Sequence, residues 1–489
     1  MDLIWIVLFL GMYYLKPQEW FAVFASIKFA QIVMIGAVVS LFFRERSVRL
    51  NNIIRTPHDW MILAFWGWLI ISGPSWWSNF RDTYSLIATY FIIVQTLSNV
   101  DRIARFLGWW TFLIVFVAGL AVLSQYGIDP LGSYDLTMGR MKGRLALNLS
   151  MFNNPNALGH AVVPAIPMLY FYCIWRRPLF MKEVGYFCLF LPCYCIYLTV
   201  SKGSFLTGAA AVMATLTFGR PKTVQIAIIV SAVLFGGTML WALPRMQELK
   251  RAKTDEAIMG RVAAFTHGLK IVEGNYRGVG YRQWLKDFIA HHHFSKAAHS
   301  SYVQIGAELG SVGFALFLGV LYCNLRTLVT ARTQSTEEER IRRVLFVLVI
   351  TYMVSSWMVD LGYRTTYFMF TAATAAFHRH LLRLNEVSEE EEKEESSGAL
   401  VPAIPAWRAR FVPQPEIEAA FASSGSPTSV ATLEAEPAAA IAVKEEEEEV
   451  RPRIAFNWNR LGFIDIGLVI FLATFAIRFW RIALARMSQ

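Results

Sequence analysis

Apolar residues in this chain form long runs separated by short clusters of charge. About 20 apolar residues cross a bilayer as a helix, and the runs predict about twelve transmembrane helices with both ends on the same side. The predicted segments are residues 3–15, 24–43, 60–71, 84–97, 106–126, 157–175, 184–200, 205–218, 224–243, 302–325, 344–359 and 367–382. The fold class is therefore an all-α polytopic membrane protein.

The charged clusters orient these segments. Basic residues gather near positions 44, 102, 176, 220, 342 and 379, and all six clusters fall on one side of the predicted bundle. Short cytoplasmic loops carry such an excess of lysine and arginine. The topology leaves two loops on the other side, at about 127–154 and, between the ninth and tenth helices, 244–299.

Three regions follow from these patterns. Residues 1–384 are predicted to form a membrane-embedded domain. Residues 386–450 hold 16 acidic and 4 basic side chains among Pro, Ala and Ser, so 385–455 is predicted to be a disordered cytoplasmic tail. Residues 456–489 contain an apolar stretch with three arginines on each flank, which predicts a thirteenth helix, either transmembrane or interfacial, without orienting it.

Composition supports the membrane class and excludes others. Hydrophobic residues make up 55% of the chain, above the balance of a soluble protein. The net charge of +10 is spread over helix-flanking clusters, which argues against nucleic acid as a partner. The five cysteines lie in apolar runs and indicate neither disulfides nor a thiolate metal site.

The two outer loops concentrate positive charge. Between positions 245 and 296 there are ten basic and five acidic residues, and the shorter loop adds Arg140 and Arg144. Guanidinium groups bind phosphate through two parallel hydrogen bonds. The loops therefore indicate an anion site at the membrane surface; attraction to anionic lipid headgroups is the simpler alternative.

The longer loop carries the candidate chemistry. Apolar residues at helical spacing predict an amphipathic helix over 262–272, with Arg261 at its start. Gly278 and Gly280 allow tight turns close to a ligand. His299 stands just before a membrane helix, where an imidazole can accept a proton near neutral pH. The three consecutive histidines at 291–293 are interpreted as a loop feature and not as a metal site.

The spacing His299-Ser300, nine residues, Gly310, two residues, Gly313 resembles the signature of the O-antigen ligase and polymerase superfamily. Further matches are Phe152-Asn153-Asn154-Pro155-Asn156, Gly260-Arg261, Gly278-Val279-Gly280 and Asp360 with Arg364. The resemblance covers residues 1–384. Two departures are Lys202, where the family usually has arginine, and Ser150-Met151, which lacks the usual glycine before the Asn-Pro-Asn segment.

The resemblance implies a bacterial inner-membrane glycosyltransferase that acts on the periplasmic face. It implies transfer of a glycan from a polyprenyl diphosphate carrier to a hydroxyl acceptor, without metal, nucleotide or other cofactor. His299 would assist the acceptor hydroxyl and Arg261 would hold the diphosphate. The remaining substrate-binding candidates are Arg140, Arg144, Asn156, Lys202, Arg277 and Arg364.

Several alternatives stay open. The acceptor is lipid A–core, another lipid-linked glycan or a protein hydroxyl. A transporter or flippase of an anionic lipid-linked sugar is the rival function, and it would require ionisable residues in the middle of membrane helices. A scaffold that recruits partners through the acidic tail would leave the outer arginines unexplained.

Overall fold

The computed structural model describes residues 2–44, 53–231, 256–396 and 458–487, and it contains helices without strands in these ranges. In the first half the helices are α1 Asp2–Leu15, α2 Pro17–Trp20, α3 Phe29–Arg44, α4 Pro57–Ser72, α5 Trp76–Thr96, α6 Val100–Ser124, α7 Ser133–Met138, α8 Pro155–Val162, α9 Ala165–Leu169, α10 Leu179–Thr199, α11 Lys202–Thr217 and α12 Lys222–Ser231. The second half comprises α13 Glu256–Gly274, α14 Trp284–His292, α15 Ser301–Thr330, α16 Thr336–Ser355, α17 Thr365–Ser396 and α18 Phe463–Met487.

Five of the helices in the described ranges are long and apolar enough to cross a membrane. They are Val100–Ser124, Pro155–Ile174, Leu179–Thr199, Ser301–Thr330 and Phe463–Arg486. Other predicted spans are shorter, such as α1 with 14 residues and α4 with 16. The protein is thus multi-pass, while the count of about twelve spans stays a prediction. The ninth predicted span, 224–243, is described only as far as residue 231.

The helix predicted over 157–175 is not continuous. It consists of α8, α9 and a π-helical turn, Tyr170–Ile174. Pro164 stands between the first two pieces, and Pro167 lies in the first turn of α9. A proline lacks the amide hydrogen of the helical ladder, so an apolar run with two prolines changes pitch instead of staying regular.

Helix α15 lies at the centre of the packing, against α4, α13, α16 and α18. The indole Nε1 of Trp68, late in α4, donates to the Leu309 carbonyl at 2.9 Å. At the start of α4, His58 lies 3.4 Å from the Thr327 hydroxyl. These contacts make α4 and α15 antiparallel and define two ends of the bundle, which we call the His299 end and the opposite end.

The basic clusters and the two outer loops fall at different ends. Arg102 pairs with Asp2 at 2.7 Å, where α1 and α6 begin. Where α1 ends, Lys16 and Glu19 contact Ser150 of the shorter loop. Ser150 and His299 line one cavity, so both loops lie at the His299 end, whereas Arg379 and Asp59 pair at the opposite end.

The C-terminal helix α18 takes one defined direction. Near its start Asp465 pairs with Arg326, close to the end of α15. Near its end the Trp480 ring approaches Gly306, close to the start of α15. It therefore runs antiparallel to α15 along most of that helix, a direction that the arginines on its flanks do not indicate.

Contacts divide the chain into two units, residues 1–383 with 456–489, and residues 384–455. The first unit contains α1–α16, all of α18, and α17 as far as residue 383. Of the second, the structure describes residues 384–396, which continue α17.

Candidate active site

A cavity of about 280 Å³ lies at the His299 end, between α1, α6, α8, α16, α17 and the residues before α15. Asn156 and His160 line it from α8, and Ser355 from the end of α16. Asp360 and Arg364 line it from the connection between α16 and α17. These residues are far apart in the sequence, and the packing of the bundle brings them to one place.

His299 is held by its backbone at the edge of this cavity. It has φ 51°, in the left-handed region that a side chain rarely occupies. The Asp360 carboxylate accepts hydrogen bonds from the backbone N–H groups of His299 and Ser300. The next residue, Ser301, donates its N–H to the Ser356 carbonyl at 2.7 Å. The α16–α17 connection therefore fixes the position of the imidazole.

The surroundings of His299 keep its ring neutral. Burial lowers the pKa of His299, and the positive charges of Arg261 and Lys296 lower it further. Each of these removes stabilisation from the protonated ring. A neutral imidazole in a cavity has a free lone pair and can accept a proton from a hydroxyl group.

Arg261 lies inside α13, which starts at Glu256 and not at Arg261 as predicted; the arginine is half-buried and is not among the residues that line the cavity. Its charge acts on both His299 and Asp360. Burial raises the pKa of Asp360, and the charges of Arg364 and Arg261 oppose that rise. Cations from two separate parts of the chain thus surround the carboxylate and the imidazole.

The Asn-Pro-Asn segment builds the opposite wall. Asn154 caps α8 by accepting the Asn156 N–H at 2.9 Å, and Pro155 occupies the first position of the helix, where a missing amide hydrogen costs nothing. The Asn156 side-chain oxygen accepts a 2.8 Å hydrogen bond from Arg144. Arg144 also donates to the Thr199 carbonyl at 3.1 Å. The structure therefore brings Arg144 beside the cavity.

The other predicted binding residues are distributed unevenly. Arg364 lines the cavity. Lys202 is the exposed first residue of α11, and its neighbour Gly203 lies against the His160 ring. Arg140 is exposed on the turn after α7, and the structure does not bring it to the cavity lining. Arg277 is also outside the lining and donates to the Ile71 carbonyl at 2.8 Å.

The glycines near Arg277 pack against helix backbone, whereas their spacing predicted a ligand contact. Helix α15 is interrupted at Gly310, which has φ 68° and ψ −169°. The N–H groups of Val279 and Gly280 donate to the carbonyls of Ala307 and Glu308 at 2.9 and 2.8 Å. Gly278 lies so close to this backbone that a Cβ would stand 2.5 Å from the Ala307 oxygen. The loop thus satisfies carbonyls that the break in α15 leaves free.

His160 is a cavity residue that the sequence did not single out. It is buried, and its Nδ1 lies 3.1 Å from the Ser355 hydroxyl and 3.3 Å from the Thr207 hydroxyl. Its Nε2 is buried with no hydrogen-bond partner among the described residues. Asp360 Oδ1 is likewise buried without a hydrogen-bond partner among the described residues. The only sequence signal for His160 is its position one helical turn after Asn156.

Residues 187–318 match a family model whose description is O-antigen ligase, Wzy_C. The match includes Lys202, Arg261, Arg277 and His299. This match supports the resemblance to the O-antigen ligase and polymerase superfamily over residues 187–318, and that family implies transfer of a glycan. No curated protein matches the chain.

Asn156, His160, Asp360 and Arg364 lie outside the matched range, yet they share the cavity with His299. The site thus combines a proton acceptor, a buried carboxylate and several guanidinium groups. Such an arrangement suits a reaction in which a hydroxyl loses a proton while an anionic group departs.

Proposed function

We propose that this protein transfers a glycan from a polyprenyl diphosphate carrier to a hydroxyl acceptor. The observation that carries the proposal is that His299, Asp360 and Arg364 line the same cavity. The charge of Arg261 acts on both His299 and Asp360, and together with burial it lowers the pKa of His299. The superfamily supplies the reaction class, and the arrangement of side chains supplies the roles.

In the proposed step the acceptor oxygen attacks the anomeric carbon of the sugar linked to the diphosphate. The hydroxyl proton passes to the His299 imidazole as the new C–O bond forms. The bond between the anomeric carbon and the diphosphate oxygen breaks, and its electron pair leaves with the polyprenyl diphosphate. Arg261 and Arg364 stabilise the negative charge that develops on the leaving oxygen.

The membrane orientation and the domain organisation belong to the same proposal. The His299 end faces the periplasm and the opposite end faces the cytoplasm of a bacterial inner membrane, because the basic clusters of the described residues gather at the opposite end. Residues 1–384 form the catalytic domain, 385–455 the acidic cytoplasmic tail, and 456–489 a membrane-crossing helix. The acceptor is lipid A–core, a lipid-linked glycan or a protein hydroxyl.

The proposal is tested with full-length protein in proteoliposomes that contain a polyprenyl diphosphate-linked glycan and a hydroxyl acceptor. We expect release of polyprenyl diphosphate and an extended acceptor in EDTA and without any nucleotide. A requirement for a nucleotide-sugar would overturn the donor assignment. A donor that changes leaflet and stays intact would favour the transporter.

A paired substitution checks the role of Arg261 in the same assay. Lysine keeps the positive charge but loses the planar fork that binds two phosphate oxygens. We expect Arg261→Lys to be impaired and Arg261→Ala to be impaired further. Equal rates for wild type and Arg261→Ala would remove Arg261 from the mechanism.

A further inference from the structure

Two helices of the longer outer loop bring three metal-ligating side chains together, away from the cavity. His267 comes from α13, and Asp287 and His291 come from α14. One ligand atom of each lies within 4.8 Å of the others. We propose that this cluster is a binding site for a divalent transition-metal ion of the Zn²⁺ class.

The three side chains already lie close together, and His291 Nδ1 also lies 2.9 Å from the backbone carbonyl oxygen of Asp287. His267 Nε2 lies 2.7 Å from the Asp287 carboxylate, and His291 Nδ1 lies 3.7 Å from the same oxygen. Asp287 and His291 are four residues apart on α14, so they share one face of that helix. The three consecutive histidines at 291–293 point in different directions, but the proposed site uses only His291 from that run. Its other two ligands are Asp287, one helical turn earlier, and His267 from α13.

The chemistry of the ligands selects the ion. Two imidazole nitrogens and one carboxylate oxygen suit Zn²⁺, which takes His at about 2.0–2.1 Å and carboxylate at a similar distance. Ca²⁺ and Mg²⁺ prefer oxygen ligands throughout. The His292 ring has its centroid 5.0 Å from that of His267 and is a candidate for a fourth ligand, as is water.

The site would fasten α14 to α13. His267 is buried between the two helices, and its ring contacts Trp284 and Phe288. Trp284 in turn donates its indole N–H to the Lys296 carbonyl at 3.0 Å, three residues before His299. None of the three ligands lines the cavity. The ion would therefore stabilise the loop that carries Arg261 and His299, and the transfer step does not use it.

The test measures binding and needs no turnover. Full-length protein purified through a tag without histidine is stripped with a chelator and titrated with Zn²⁺ against a chromophoric chelator. We expect wild type to bind one equivalent, and Zn²⁺ to raise its Tm. His291→Ala and Asp287→Asn should each weaken binding by about tenfold or more, since altering even the groups that support a metal ligand costs about 10–100-fold.

His293→Asn is the matched control. His291 and His293 are both exposed, but His293 is outside the cluster, and it has φ 60°, which asparagine tolerates. We expect this variant to bind Zn²⁺ as wild type does. Absence of stoichiometric binding to wild type would overturn the proposal, as would equal affinities for wild type, His291→Ala and Asp287→Asn. The transfer assay in EDTA tests the glycan-transfer proposal, and the Zn²⁺ titration tests the metal site. Either proposal can therefore fail without the other.

Discussion

Two buried polar clusters lie at the two ends of this bundle, and they are built differently. At the opposite end Asp59 is fully buried and pairs with Arg379 at 3.0 Å, the Tyr90 hydroxyl at 2.8 Å and the Thr56 N–H at 2.8 Å. None of these residues lines the cavity. At the His299 end, buried atoms of His160 and Asp360 without a hydrogen-bond partner among the described residues line the cavity, whereas such atoms at the opposite end, His58 Nδ1 among them, do not.

The cluster around Asp59 is therefore expected to stabilise the fold, and the cluster around His299 to bind substrate. The contacts of Asp59 with Arg379 and Tyr90 hold helices together, here α4, α5 and α17. Buried polar atoms without partners cost free energy, unless a substrate supplies the partner. We therefore expect substitutions at the His299 end to change the rate of transfer, and substitutions around Asp59 to change the free energy of unfolding.

The largest effect is expected at His299. His299→Asn should reduce the rate of transfer by about 10²–10⁴-fold, because the general base is lost. Asparagine is preferred to alanine here since it tolerates the left-handed backbone of this position. Single-turnover release of polyprenyl diphosphate gives the rate, and a Tm close to that of wild type is the control. A rate within twofold of wild type would exclude His299 as the base.

Asp59→Ala should have the reverse outcome. It leaves the buried Arg379 guanidinium without its carboxylate, which costs about 3–5 kcal/mol of stability. Denaturation followed by intrinsic fluorescence measures the loss, and turnover per folded molecule should remain near the wild-type value. A large loss of turnover in folded Asp59→Ala protein would break the distinction between the two ends.

Some of the site residues could be predicted from the sequence, and others depend on how the helices pack. His299 and Arg261 could be nominated from the sequence because each belongs to a short local motif. His160 and the contact of Asp360 with His299 depend on how α8, α16 and α17 pack against the start of α15, which no local pattern encodes. Arg277 stands next to glycines whose role depends on the break in α15 at Gly310, and that break lies within an apolar run that looks continuous in the sequence.

Asp360→Asn is expected to have an intermediate effect. The asparagine oxygen still accepts the N–H groups of His299 and Ser300, but the charge is lost, and a hydrogen bond to a charged group contributes about 1.5–3 kcal/mol. The rate should fall by about tenfold to a hundredfold. Asp360→Ala, which also loses the acceptor, should fall further. If both variants transfer at the wild-type rate, the carboxylate does not position His299.

The smallest effect is expected at Lys296. Its charge is one of two that lower the pKa of His299, and it lies outside the cavity lining. Lys296→Gln should therefore let the imidazole protonate more readily and move the acid limb of the rate profile roughly a few tenths of a pH unit higher. Its plateau rate should match wild type. An unchanged limb would show that Lys296 does not act on the titrating group.

The pH dependence of kcat/KM for the wild-type enzyme tests the central claim most directly. Transfer requires the neutral imidazole, so the rate falls as the pH falls through the pKa of His299. Because burial, Arg261 and Lys296 lower that pKa, the midpoint of the acid limb should lie below about 6.5, the ordinary value for histidine. The residual activity of His299→Asn should lack this limb. A midpoint at or above the ordinary value, or the same limb in His299→Asn, would contradict the account.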